Sequence, residues 1–178
     1  MTLDNNTIEE KLSAKFDSKV SNFRVEEGML VFDASSSIVK DLLAFMKEDE
    51  TLRFNFLTDL CGIHYPDNEA DKMFAVVYHM HNWIDNVRVR IKTYLKGDKP
   101  EIDTVTEVFK AANWLERETY DFFGIIFKGH PNLKRILNDE GMISFPMRKE
   151  YPLEDSQRTD KDDRFFGRDT NNNQLNAK

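Results

Sequence analysis

The amino-acid sequence predicts an α+β fold: helices packed on one side of a mostly antiparallel sheet, then a charged helix and an extended C-terminal arm. Three observations lead there. Val87, Val89 and Ile91 alternate with Arg88, Arg90 and Lys92, the period of a strand with one buried and one wet face. Ile8, Leu12 and Phe16, and later Ile38, Leu42, Phe45 and Met46, recur at helical spacing, so two helices have an apolar stripe to lay on that sheet. Past Tyr151 aliphatic residues become scarce and charges frequent, a composition that cannot build its own core. The 178 residues suffice for one domain with extensions. We assign residues 1–153 to the domain and 154–178 to a tail that is solvated or ordered by a neighbour, with Phe165 and Phe166 as its apolar anchors.

In order along the chain, Thr7 and Glu10 have the spacing of a capping box and predict a helix to about Lys19. Asn22–Glu27 and Met29–Asp33 predict a hairpin hinged at Gly28. Ser35, Ser36 and Ser37 are suited to open a second helix ending near Glu48. Three strands follow: Arg53–Ile63, then Met73–His81 beyond the turn-rich Tyr65-Pro66-Asp67-Asn68, then Asn86–Tyr94. Gly97 to Pro100 interrupts the alternation. Thr104–Ala111 predicts a short helix leading into a second one from Trp114 to Phe123. There Asn113 and Glu116 have the spacing of a capping box, and Gly124 suits the left-handed residue of a helix end. Leu115, Thr119, Phe122 and Phe123 share one face of that helix. Glu116, Arg117, Glu118 and Asp121 crowd the rest, with Arg117 and Asp121 one turn apart and able to pair.

Composition excludes several function classes. A net charge of −7 disfavours unaided binding to nucleic acid or an anionic membrane, both of which need basic surface. The single cysteine, Cys61, rules out an internal disulfide and a cluster held by four local thiolates. The first residues lack the basic and apolar regions of a signal peptide, and no apolar run approaches the roughly 20 residues of a membrane span.

The segment from Asn113 to Leu153 carries a resemblance. Glu116-Arg117-Glu118, Asp121-Phe122-Phe123, His130, Lys134, Ile136 and Leu137 resemble the signature of the C subunit of respiratory complex I, the proton-translocating NADH-quinone oxidoreductase. Gly129-His130-Pro131 and the run from Pro146 to Pro152 resemble that family too, although Met147 stands where Leu is usual and Glu150 where Asp is frequent. The resemblance implies a non-redox structural subunit of the peripheral arm. Flavin and iron–sulfur clusters would lie in partner subunits, none in this chain, and pass electrons from NADH to quinone. It also implies contact with the quinone-site D subunit, as a separate polypeptide, and with neighbouring iron–sulfur subunits. The expected location is the cytoplasmic face of the bacterial inner membrane, with membrane contact only through the complex. The alternatives are the equivalent subunit of a related membrane-bound hydrogenase and a free-standing carboxylate-dependent enzyme.

Other constellations are weaker. Gly124 and Gly129 are spaced as in a phosphate loop, but His130 and Pro131 replace the lysine and hydroxyl that such a loop needs. His79 and His81 point to one side of a strand, and two imidazoles fall short of a zinc site. Glu116 and Glu118 diverge by about 200° on a helix, a poor arrangement for paired acid–base catalysis. A structural ion-pair network suits them better. Lys128, His130, Lys134, Arg135, Arg148 and Lys149 form a second, basic group interleaved with aromatics, the mixture of which interface anchors are made. The candidate interface or supporting ion-pair network is therefore Glu116, Arg117, Glu118, Asp121, His130, Arg135, Arg148 and Lys149.

Overall fold

A computed structural model of the chain describes residues 3–97 and 99–151; the tail expected at 154–178, with Phe165 and Phe166, lies outside the described residues. Helix α1 spans Asn5–Phe16 and continues as a 3-10 turn over Asp17–Lys19. Its cap is Asp4, whose Oδ1 accepts from the Thr7 amide at 2.8 Å, so the helix opens before the expected Thr7 box. Strands β1 (Val20–Glu26) and β2 (Met29–Ala34) form the hairpin about Glu27-Gly28. A 3-10 turn at Ser36–Ile38 leads into α2 (Val39–Glu48). The serines open it without a side-chain cap, through the Ile38 amide on the Ser35 carbonyl at 3.1 Å.

Strands β3 (Phe56–His64), β4 (Phe74–Asn82) and β5 (Val87–Leu95) form an antiparallel meander. The five strands lie in the order β1-β2-β5-β4-β3, and only β2 and β5 run parallel, with Phe32 opposite Ile91. The sheet is thus mostly antiparallel, as expected. Alternation sends Leu30, Phe32, Leu60, Val76, Tyr78, Met80, Val89 and Ile91 into one core with Ile8, Leu12, Leu42, Leu43 and Met46 of the helices. Each such side chain contributes about 1.5–3 kcal/mol by leaving water. The opposite face carries Arg24, Glu26, Asp33, His79, Arg90 and Lys92, linked by ion pairs and hydrogen bonds.

A feature absent from the sequence reading is a second sheet of two short parallel strands, β6 (Glu101–Asp103) and β7 (Ile126–Lys128). Between them the predicted helix at Thr104–Ala111 is only a set of turns. Thr104 is tied to the Lys128 carbonyl, and bonds from Val108 and Phe109 to the Val105 carbonyl close a single turn before α3 (Ala112–Phe123) begins. Helix α3 packs along β3 so closely that a Cβ on Gly62 would lie 2.7 Å from the Phe123 ring. No helix among the described residues is long and apolar enough to cross a membrane.

Candidate functional site: an inward-turned charged helix and its clamped arm

Two of the four charged residues of α3 turn inward. Glu116 and Asp121 are completely buried, whereas Trp114 is 61% exposed. The capping geometry expected of Glu116 is not formed; α3 begins earlier, with Ala111 as its N-cap residue, and has no side-chain cap. Instead Glu116 faces the chain leaving β6. Its Oε2 accepts from the Thr104 hydroxyl at 2.5 Å and its Oε1 from the Val105 amide at 2.7 Å. Burial pushes the Glu116 carboxyl up to about 7, against the pull of those two donors.

His130 Nε2 lies 4.0 Å from Glu116, with its side chain fully enclosed. Nε2 donates to the Asn113 carbonyl at 3.1 Å while Nδ1 accepts from the Asn132 amide at 3.0 Å. That pair of bonds requires the neutral Nε2–H tautomer. Burial lowers the basicity of His130, and the Asn113 bond only partly offsets this. Glu116 is thus held by neutral donors rather than by a cation. The Tyr78 hydroxyl is buried nearby with no hydrogen-bond partner among the described residues.

Asp121 is the hub of the arm formed by residues 129–151, which follows β7 and precedes the tail. Its Oδ2 accepts from the amides of Ile136, Leu137 and Asn138 at 3.0, 2.8 and 3.0 Å, and its Oδ1 from Asn138 Nδ2 at 3.1 Å and Arg135 Nη1 at 2.8 Å. Burial pushes the carboxyl up, but these donors outweigh it and hold Asp121 well below the usual carboxylate range. The expected Arg117–Asp121 pair gives way to this arrangement. Arg117 lies over the Trp114 ring and donates to the carbonyls of Lys134 and Arg135, at 3.1 and 3.4 Å. A loop that offers three convergent amides and a guanidinium competes better for a buried carboxylate than one neighbour on an exposed turn.

Arg135 and Arg148 are likewise internal clamps. Arg135, its side chain 7% exposed, also donates to the carbonyls of Asp121, Met142 and Ser144 and lies over Phe145. Arg148 Nε donates to the Phe123 carbonyl at 2.7 Å, and its guanidinium sits over both Phe74 and Phe145. Gly124, at φ +70°, lies beneath them; a Cβ there would be 2.6 Å from both Arg148 Nη2 and the Phe145 ring. Lys149 takes part through its backbone, whose amide donates to His64 Nδ1 at 3.0 Å.

Of the sequence candidates, Glu116, Asp121, His130, Arg135 and Arg148 are therefore brought into one framework beneath the arm, joined at its edge by Arg117 and the backbone of Lys149. Glu118 stands apart and is exposed. Thr104, Val105, Asn138 and His64 belong to the same framework and carried no signal in the sequence, because each meets its partner across a long loop. Exposed on the arm are Leu137, Ile143 and Met147, at 64, 95 and 53%.

Fold and site together define a subunit-type domain: a sheet-and-helix body with a long arm tied down from within and Leu137, Ile143 and Met147 left facing out. The chain belongs to the family described as respiratory-chain NADH dehydrogenase, 30 Kd subunit, whose pattern matches residues 32–157. It is 41% identical over 140 residues to the NADH-quinone oxidoreductase C 2 subunit of Rhizobium etli (strain CIAT 652), covering 78% of this chain and 73% of that one. It is 38% identical over 153 residues to the NADH-quinone oxidoreductase C subunit of Roseiflexus sp. (strain RS-1), covering 86% and 87%. Among solved structures it is similar to a trypsin-resistant fragment (1-134) of Nqo5, with a TM-score of 0.57 and 34% identity over 72% of this chain and 98% of that one. A chain of the membrane-bound sulfane sulfur reductase, an archaeal respiratory membrane complex, aligns with a TM-score of 0.69 and 25% identity over 83% and 85%.

Proposed function

We propose that this chain is a structural subunit of a proton-translocating NADH-quinone oxidoreductase. In this reading it sits in the peripheral arm and carries no redox centre. Electrons pass from NADH through flavin and iron–sulfur clusters of other subunits to quinone. The quinone-site D subunit and adjacent iron–sulfur subunits are its partners, at the cytoplasmic face of the bacterial inner membrane. Family membership carries the reading, and the geometry supports it. Asp121, Arg135 and Arg148 are engaged inside the chain and tie the arm down as one surface, and such a surface holds neighbours at fixed distances. Glu118 and the exposed side of the arm are left for contact, whereas Glu116, Asp121, His130, Arg135 and Arg148 support it from within.

A free-standing carboxylate-dependent enzyme fits these positions poorly. Asp121 accepts five hydrogen bonds, and Glu116 is closed off behind Thr104 and Val105. The likeness to the sulfane sulfur reductase chain keeps one rival of the same architecture, the equivalent subunit of a related membrane-bound respiratory complex such as a hydrogenase. Affinity purification of the chain from native membranes separates them. Co-purification of flavin- and cluster-bearing subunits with NADH-driven quinone reduction is expected; a nickel-bearing partner, or no partner with turnover by the chain alone, would overturn the proposal.

A further inference from the structure

We infer that the cleft between β3 and α3 seats an extended, basic segment of a partner subunit as an added strand; this rests on the subunit reading above. The cleft has a volume of about 400 Å³ and is lined by the consecutive residues Asp59 to Gly62 of β3, by Glu118 and Phe122 of α3 and by Met147 of the arm. Asp59 and Cys61 belong to the open face of the sheet, Leu60 and Gly62 to the helix-covered face. A cavity lined by neighbours of both faces runs along the edge of the strand rather than over one side. Among the described residues β3 is the terminal strand, hydrogen-bonded only to β4, so its outer backbone groups are a template for another chain.

The charge on the rim chooses the occupant. Glu118 has no ion pair among the described residues, and the closest cationic group to Asp59 is His79 Nδ1 at 3.8 Å. His79 accepts from Arg90 through Nε2, and burial together with Arg90 lowers its basicity, so it supplies no counter-charge. Two carboxylates with no charged partner among the described residues, over an apolar floor of Phe122 and Met147, call for an alternating segment. A Lys or Arg on its open-face side would reach Asp59, while its helix-facing side chains would be apolar against Phe122, with one long basic side chain extending to Glu118. An acidic segment would place like charges together, and a helix would leave the strand edge unpaired.

Cys61, the sole cysteine, reports occupancy. In the complex isolated from native membranes its alkylation by N-ethylmaleimide should be at least about tenfold slower than in the isolated full chain. The Asp59→Lys/Glu118→Lys double variant, shown folded by circular dichroism, should lose that protection, while Asp59→Asn/Glu118→Gln should retain part of it. With p-benzoylphenylalanine at Met147, photo-cross-linking in the complex should capture a Lys- or Arg-bearing stretch of another subunit. Equal Cys61 reactivity in complex and isolated chain would overturn the inference and leave the subunit reading standing. So would cross-links to residues 152–178 of the same chain, or to an acidic or helical segment. Absence of the chain from any respiratory complex would bring down both.

Discussion

Replacing Asp121 by Asn tests whether the charged signature is internal framework. The substitution keeps the shape but removes the charge and turns one acceptor oxygen into a donor. That donor then faces the three amides of 136–138 or the Arg135 guanidinium. Breaking a buried ion pair on one side costs about 3–5 kcal/mol, and each stranded buried donor adds about 1–3 kcal/mol before relaxation. Because the loop lies near the surface, its amides regain water, and about 4 kcal/mol is the expected total. Such a loss is a large part of the roughly 5–15 kcal/mol by which a domain is stable. In urea unfolding followed by circular dichroism at pH 7 the midpoint should fall accordingly, and Tm by roughly 10 °C. The folded-state pKa of Asp121 is lowered from 3.8, so its contribution is complete above that pH and drains away as acid titrates the folded carboxylate. Wild type and variant should therefore converge in strong acid. Arg117→Ala, which removes contacts to two carbonyls and the Trp114 ring, should cost only about 1 kcal/mol. A loss below about 1 kcal/mol for Asp121→Asn, with a larger one for Arg117→Ala, would refute this account and restore the helix-internal pair.

Three further outcomes follow from the same framework. Glu116 binds its proton more tightly when folded, with a pKa of about 7 against 4.5. Its contribution to stability should thus be full below about pH 4.5 and fall by the order of 3 kcal/mol as pH rises to about 7; Glu116→Gln should flatten that slope in pH-dependent urea titrations. Gly124→Ala should lose about 2–3 kcal/mol by thermal melting, from the left-handed backbone penalty plus crowding against Phe145 and Arg148. Arg148→Ala removes one hydrogen bond, two ring contacts and a half-exposed ion pair with Glu150, about 2 kcal/mol. It should speed tryptic cleavage of the arm at Lys134 and lower recovery of the assembled complex while the sheet stays folded.

The sequence made the periodic elements legible. The hairpin at Gly28, the three-strand meander and the end of α3 at Gly124 are local events, written in alternation and turn residues over a few positions. Strands β6 and β7 are three residues each, too short for a period to show, and their pairing depends on a helix placed between them. The parallel contact of β2 with β5 is equally silent, since nothing in either strand encodes a partner so far along the chain. At the site, helical spacing pointed Asp121 toward Arg117, but the winning donors come from 14 or more residues downstream. Helical spacing alone also could not show that Glu116 turns inward, because its partners belong to a turn that the pattern read as helix. The resemblance across 113–153 singled out a segment, and only the fold distinguishes its inner charges from Glu118 on the outside.

The parallel seam between β2 and β5 has a consequence for how the chain comes to be made. The N-terminal hairpin and the first two helices have no central strand to rest on until Val87–Leu95 has been synthesised. A nascent chain stopped before that point would hold its Leu and Phe side chains in water, with nothing to close over them. Biogenesis should therefore be late and abrupt: truncations ending short of Leu95 should be degraded or captured by chaperones, whereas one ending near Tyr151 should fold as a body.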